Sequence, residues 1–299
     1  MKPPSTLFIA LMLVLPLISA EAQGYHKQKA DEYPTGLSVS IDAGLLMADK
    51  KQASFYSGSP GTPNEIYRIL HSEQYGTQIW TDLVNQGIIS PSSVQSYREF
   101  KVDEWATMSY KLAYQLGVAI RYGYNRGWGW RLGFDFSQLN ATGEFLLSKG
   151  VQNPGVDQYV VCGVYGTEKR IHIDLALTKR FNLTKKVGLE VDLGFDLNNT
   201  KVSKNAIVVN GKEYSILDVW NGETPYQGIG TYEYINQGGM GIGGFGALML
   251  SYQMENYSID LGYTCYYMQT RFPGYNDGDD YAFQHLVSLR FNLYKFSFL

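Results

Sequence analysis

Two cysteines in 299 residues exclude a disulfide-stapled domain and a cysteine-rich metal site. Charge is sparse as well: 18% of residues carry it, and the formal balance of -3 is too mild to argue for nucleic acid or strong electrostatic steering. His26, His71, His172 and His285 are the only histidines, which leaves little material for acid–base chemistry. Neither G-x-S-x-G nor H-E-x-x-H occurs. Past the N-terminus no apolar run approaches the ~20 residues that a membrane-crossing helix needs.

The N-terminus has the one apolar block. Lys2 precedes Leu7 to Ile18 ("LFIALMLVLPLI"), and Ala20-Glu21-Ala22 is a small-x-small cleavage pattern. Residues 1–22 therefore read as a secretory signal, with 23–35 a periplasmic segment ahead of the first strand. Tyrosine (24) and glycine (32) are abundant, as in a β-rich chain with many turns.

From Gly36 on, apolar residues return at every second position, the period of a strand. Eight strands are predicted: Gly36 to Leu46, a hairpin across Met108 to Ser137 (reaching about Leu147), Lys169 to Phe181, Val187 to Leu197, Gly239 to Met254, Tyr257 to Gln269, and Gln284 to Lys295. Short connections at 125–127, 182–186 and 255–256 alternate with long ones near 47–107, 148–168, 198–238 and 270–283. Short turns on one side and long loops on the other is the rule of a transmembrane barrel.

The two faces differ in kind. One carries Tyr, Trp, Phe, Leu and Ile, the other small residues and charges of both signs. Some eight strands enclose a lumen too narrow for the aromatic set, so the large face must point outward. Such a surface is intolerable in water and suits lipid, with Tyr and Trp in the interfacial girdles. The predicted fold is all-β: an eight-stranded antiparallel transmembrane β-barrel with long extracellular loops, the first partly helical, in the cell outer membrane.

The signal peptide, the alternating strands, the short–long connections and the aromatic-rich end ("LRFNLYKFSFL") resemble bacterial outer-membrane β-barrel proteins. The flavour is that of the small barrels of Bacteroidota, including the PorT-like and PorG-like families. That resemblance spans essentially the mature chain and implies a secretion or gliding component with another envelope protein as partner. Chain-terminal Leu299 follows Phe298, where such barrels often finish on an aromatic.

Register across the tight turn puts Arg121 opposite Arg131, a destabilising like-charge pair that needs carboxylates. Asp42 or Asp174 is the expected partner, in a lumen network with Lys111, Asp135, His172, Glu190, Asp192, Asp260 and Arg290. An occluded, salt-bridged lumen is expected; a narrow ion path is the alternative. A lipid-modifying enzyme is a second alternative, for which His172 would be the base, but no nucleophile is apparent and no catalytic residue is assigned. No cofactor is expected. Asp277, Asp279 and Asp280 around Gly278 make a weak calcium candidate, short of a full ligand loop. Cys162, expected in the second long loop, and Cys265 do not make a convincing disulfide.

The first loop has helical signals. Thr62-Pro63-Asn64-Glu65 reads as a helix start followed by Ile66, Ile69 and Leu70 on one face. A second stretch, Thr77 to Asn85, carries Ile79, Trp80, Leu83 and Val84 and ends at Gly87. These form either a cap packed over the barrel mouth or a docking surface for an envelope partner, with Ile66, Ile69, Ile79, Trp80 and Leu83 as its contacts. "AIVVNGKEYSIL" in the third loop reads as a hairpin turning at Asn210-Gly211.

Overall fold

The computed structural model describes residues 35–62, 64–151, 157–216, 238–272 and 281–294. Residues 1–22, expected to be a signal, residues 23–34 and the Asp277, Asp279 and Asp280 cluster lie outside this set. Eight strands close into a ring in the order β1 (Gly36–Ala48), β4 (Ala113–Gly123), β5 (Trp128–Ser148), β6 (Tyr159–Asn182), β7 (Val187–Val209), β9 (Gly238–Gln253), β10 (Tyr257–Gln269) and β11 (Tyr281–Leu293), with β11 returning to β1. Every neighbouring pair in the ring is antiparallel. Three short strands stand outside it: β2 (Val102–Glu104) and β3 (Ser109–Tyr110) pair with β5, and β8 (Lys212–Ser215) pairs with β7.

Burial follows the pleat. On β6, Ile171, Ile173, Leu175 and Leu177 are exposed while His172, Asp174, Ala176 and Thr178 are buried. The same holds around the ring, from Leu37 and Ile41 on β1 to Leu289 and Phe291 on β11. An outer surface of this composition would aggregate in water; it is satisfied by hydrocarbon. Tyr122, Tyr124, Trp128 and Trp130 cluster at the end that carries the short turns, stacked or edge-on, as an interfacial girdle. Among the described residues no helix is long and apolar enough to cross a membrane.

The wall is uneven. A tilted strand needs about 9–11 residues to cross the hydrocarbon. β4 has 11 residues and β1, β10 and β11 have 13 each, whereas β5, β6 and β7 have 21, 24 and 23. These three rise roughly ten residues beyond the membrane on the long-loop side. Gln138, Lys169 and Lys201 lie in register across them and are all exposed. One step below, at Phe136 and Ile171, the outer face turns apolar. That line is the upper edge of the lipid belt.

Above it the inner face changes character. The inward side chains become Leu139, Ala141, Phe145 and Leu147 on β5, and Cys162 and Val164 on β6. On β7 a bulge opposite Thr167 and Glu168 shifts the register by one residue, so that Ile207 and Val209 turn inward after Val202. Against this apolar wall packs the first loop. Its helices are α1 (Lys50–Ala53), α2 (Tyr67–Leu70) and α3 (Glu73–Asn85). Ser72 caps α3, its hydroxyl accepting from the Tyr75 and Gly76 amides at 3.0 and 3.3 Å. The earlier helix starts later than its signal suggested. Thr62, Asn64 and Glu65 are not helical, the Glu65 amide bonds the Thr62 carbonyl, and the Asn64 side-chain amide donates to the Phe55 carbonyl at 3.2 Å; Pro63 lies outside the described residues. The β7–β8 hairpin turns at Asn210 and Gly211, with φ of 51° and 78°, the pair of left-handed residues a tight two-residue turn requires.

Candidate functional site

The lumen is built by alternation. Eight carboxylates (Asp42, Asp135, Glu168, Asp174, Glu190, Asp192, Asp196 and Asp260) and five arginines (Arg121, Arg131, Arg170, Arg180 and Arg290) are buried on inward positions, together with His172. Arg121 and Arg131 do meet in register. Arg131 is neutralised by Asp42 at 2.7 Å, and Arg121 by Glu190 at 3.2 Å. Arg290 is the hub: its guanidinium reaches Asp42 at 2.8 Å, Glu190 at 3.3 Å and Asp192 at 3.4 Å. Toward the short turns Arg180 donates to Ser251, Tyr294 and Gln253. Nearby, Asp260 accepts from Ser258 and Asn292.

Of the two expected carboxylates Asp42 is the one that pairs, and Asp174 accepts from the Tyr266 hydroxyl at 3.1 Å. One expectation is corrected. Lys111 does not enter the lumen but is exposed. The reason is a break in the alternation between β3 and β4. Lys111 and Leu112 are both exposed, the Lys111 amide bonds the Asn140 carbonyl, and parity flips. The flip sends Tyr110, expected toward lipid, to the Glu168 carboxylate at 3.0 Å. Arg170, Arg180 and Glu168 were not singled out beforehand, although the same parity that placed His172 and Asp174 also places them; Asp196 falls on the inner face its parity gave.

At the top of the lumen a second network joins barrel to cap. Glu168 accepts from the Tyr56 hydroxyl at 2.7 Å and from Arg170 Nε at 2.6 Å. Burial, and then the Glu168 carboxylate, push the Tyr56 phenol well above its ordinary range, so it is a donor at neutral pH. Gly166 lies under the Tyr56 ring, where a Cβ would come within 2.3 Å of Cδ1. Below, a cavity of about 10 Å³ beside Asp42, Arg131 and Asp135 has room for roughly one water. His172 Nδ1 is 2.8 Å from Asp196, and the imidazole is only 1% exposed.

The five apolar side chains considered as docking contacts do not form a surface. Ile66, Ile69, Ile79 and Leu83 are at most 1% exposed inside the cap. Trp80 is partly buried, its indole donating to the Val94 carbonyl at 2.9 Å. They pack with Phe55, Phe145, Cys162 and Val164, as hydrophobic side chains on a water-exposed domain must. Cys162 lies on β6 rather than in a loop, and it and Cys265 are both free thiols. What the cap does offer is a groove of about 580 Å³ between α3 and β8, lined by Tyr75, Thr77, Gln78, Thr81, Asp82, Lys212, Glu213 and Tyr214. Asp82 and Lys212 form an ion pair across it, and Tyr75 meets Tyr214 edge-on at 6.0 Å. Among the described residues no cluster of His, Cys, Asp or Glu is arranged to hold a metal ion.

A closed antiparallel ring of eight strands, polar inside and apolar outside, defines an outer-membrane β-barrel. No family model and no curated protein matches the chain. Among solved structures it is similar to Neisserial surface protein A (12% identity, covering 87% of this chain and 98% of that one, TM-score 0.40). It is also similar to OprG from Pseudomonas aeruginosa (10% identity, 87% and 97% covered, TM-score 0.38). The attachment invasion locus protein Ail of Yersinia pestis aligns at 14% identity over 87% and 99% of the two chains, with a TM-score of 0.32. Similarity this shallow carries no functional inference.

Proposed function

We propose that this chain is a non-conducting outer-membrane anchor that holds a folded recognition platform at the cell surface. One observation carries the reading: two separate interiors share three strands. The lower interior is filled by paired charges around a cavity of only about 10 Å³. The upper interior is an apolar core assembled from the first loop and the raised wall. A channel needs an open path, and a lipid-modifying enzyme needs a reachable nucleophile and base. Here the imidazole–carboxylate pair of His172 and Asp196 is sealed under the Tyr56–Glu168 contact. A platform needs a stiff, water-exposed cap, and its groove between α3 and β8 is where a partner engages. The resemblance to PorT-like and PorG-like barrels supports another envelope protein, of a secretion or gliding apparatus, as that partner.

Planar-bilayer recordings of the mature protein test the barrel; sustained stepwise currents would overturn the reading. The platform is tested in cells with a photo-crosslinking residue at Gln78 or Thr81, both exposed on the groove, against one at Asn140 on the outer wall. A discrete adduct from the groove positions alone is expected. Equal adducts at all three, or none, would remove the groove as a docking site.

A further inference from the structure

We infer that the periplasmic rim of β5, β6 and β7 binds the phosphate headgroups of anionic phospholipids in the adjoining leaflet. Among the described residues Lys179 is the one charged side chain on the lipid-facing surface between the two rims. It sits opposite Trp128 in the β5–β6 register. Its ammonium lies 4.7 Å from the Trp128 ring centroid and 5.6 Å from that of Phe181, and donates to the Arg126 carbonyl at 2.8 Å. Two aromatic faces and a carbonyl thus hold the charge at headgroup depth while its stem lies along the apolar wall.

Three more cations share this corner. Arg126 is exposed on the β4–β5 turn, in a left-handed conformation (φ 65°) that only the turn imposes. Lys185 and Lys186 are exposed on the β6–β7 turn beside it. Glu255, on the β9–β10 turn, is the sole acid in the described turns at this end, and the Gln253 amide bonds the Lys186 carbonyl. Three lysines on the cap side find carboxylates, Lys149 with Asp157, Lys204 with Glu213 and Lys212 with Asp82, whereas Lys169 and Lys201 at the upper rim are exposed. The four cations of the rim make no such pair among the described residues. Like charges gathered without counter-charge repel, and at the edge of a lipid belt the abundant anion is a headgroup phosphate.

The test is native mass spectrometry of the full mature barrel, released from detergent micelles containing equimolar phosphatidylglycerol and phosphatidylcholine. Wild type should retain the anionic lipid over the zwitterionic one by at least about fivefold. The variant R126Q/K179Q/K185Q/K186Q should lose that preference while keeping the gel mobility of a folded barrel. K169Q/K201Q, at the opposite rim, should leave it unchanged. Absence of preference in wild type, or its persistence in the quadruple variant, would overturn the proposal. So would displacement of the lipid by millimolar inorganic phosphate, which would assign the site to the free ion. A preference seen only with D31N/E32Q would assign the cations to the chain's own N-terminal acids. Should the quadruple variant fail to fold, the wild-type preference must still weaken in high salt; a salt-independent ratio would sink the idea.

Discussion

Below the line of Gln138, Lys169 and Lys201, three strands turn charges inward and apolar side chains outward; above it their inward side chains become apolar, and the outward ones mix polar residues with Val161 and Tyr165. The backbone is continuous through the change. What differs is the medium outside: hydrocarbon below, water above. Below, the outer face matches hydrocarbon; above, the inner face is apolar because it packs against the first loop. The lower interior is narrow and closed by strands on every side, so charges survive there only by pairing. The upper interior is walled on one side by strands and on the other by a loop that no covalent ring holds in place. Hydrophobic burial does most to fix that loop, which is why its inner residues include Phe55, Ile66, Leu70 and Ile79, with Tyr56 as the polar tie to Glu168.

The contrast can be broken from either side. Arg290→Ala strips counter-charge from three buried carboxylates and should cost about 3–5 kcal/mol in urea unfolding of the folded barrel. An unchanged midpoint would mean that the lumen is solvated. Phe145→Ala removes a fully buried ring from the cap and should cost a similar ~3–5 kcal/mol, but locally. Hydrogen exchange should accelerate across residues 49–108, with the barrel strands still protected; loss of protection in both would show one cooperative unit. Leu175→Arg places a charge in the middle of the lipid belt and should cost about 2–4 kcal/mol, whereas Lys201→Leu, above the belt, should cost almost nothing. Comparable costs would misplace the boundary. Tyr56→Phe leaves Glu168 with one donor fewer and should loosen the cap by about 1–3 kcal/mol, read as faster exchange near Phe55 and Tyr56.

The smallest effect concerns the two thiols. Burial pushes Cys162 up to about 12, so its alkylation should be negligible at pH 8 in the folded protein and fast in urea. The neutral thiol is the form the fold favours. Its contribution to cap stability is therefore complete below the ordinary thiol range near 9 and fades as the pH rises toward about 12. Rapid labelling of Cys162 at pH 8 would show a cap that opens readily.

Most of the barrel was legible because lipid enforces strict alternation. Tyr257–Gln269 appears with the bounds its periodicity gave, and the Arg121–Arg131 pairing follows from the 125–127 turn. Legibility stops at the membrane edge. β6 begins at Tyr159, ten residues before Lys169, because Cys162 and Val164 face in while Val161 and Tyr165 face out, and apolar residues on both sides erase the signal. Lys111 misled for a related reason: parity counted through an irregular backbone goes wrong by one residue, and one is enough to change sides. The cap side chains were read as belonging to a surface or a core; sequence could not choose, since the wall that buries them comes from strands more than sixty residues away.

The in-register line at Gln138, Lys169 and Lys201 is also a seam. Each side of it has its own interior, tied chiefly by the Glu168 contacts to Tyr56, Tyr110 and Arg170. A chimera cut there, keeping the lower strands and replacing what stands above, would leave every lumen ion pair below the cut intact. The lower half is in that sense a reusable socket, and surface properties could diverge in such a lineage without any renegotiation of membrane insertion.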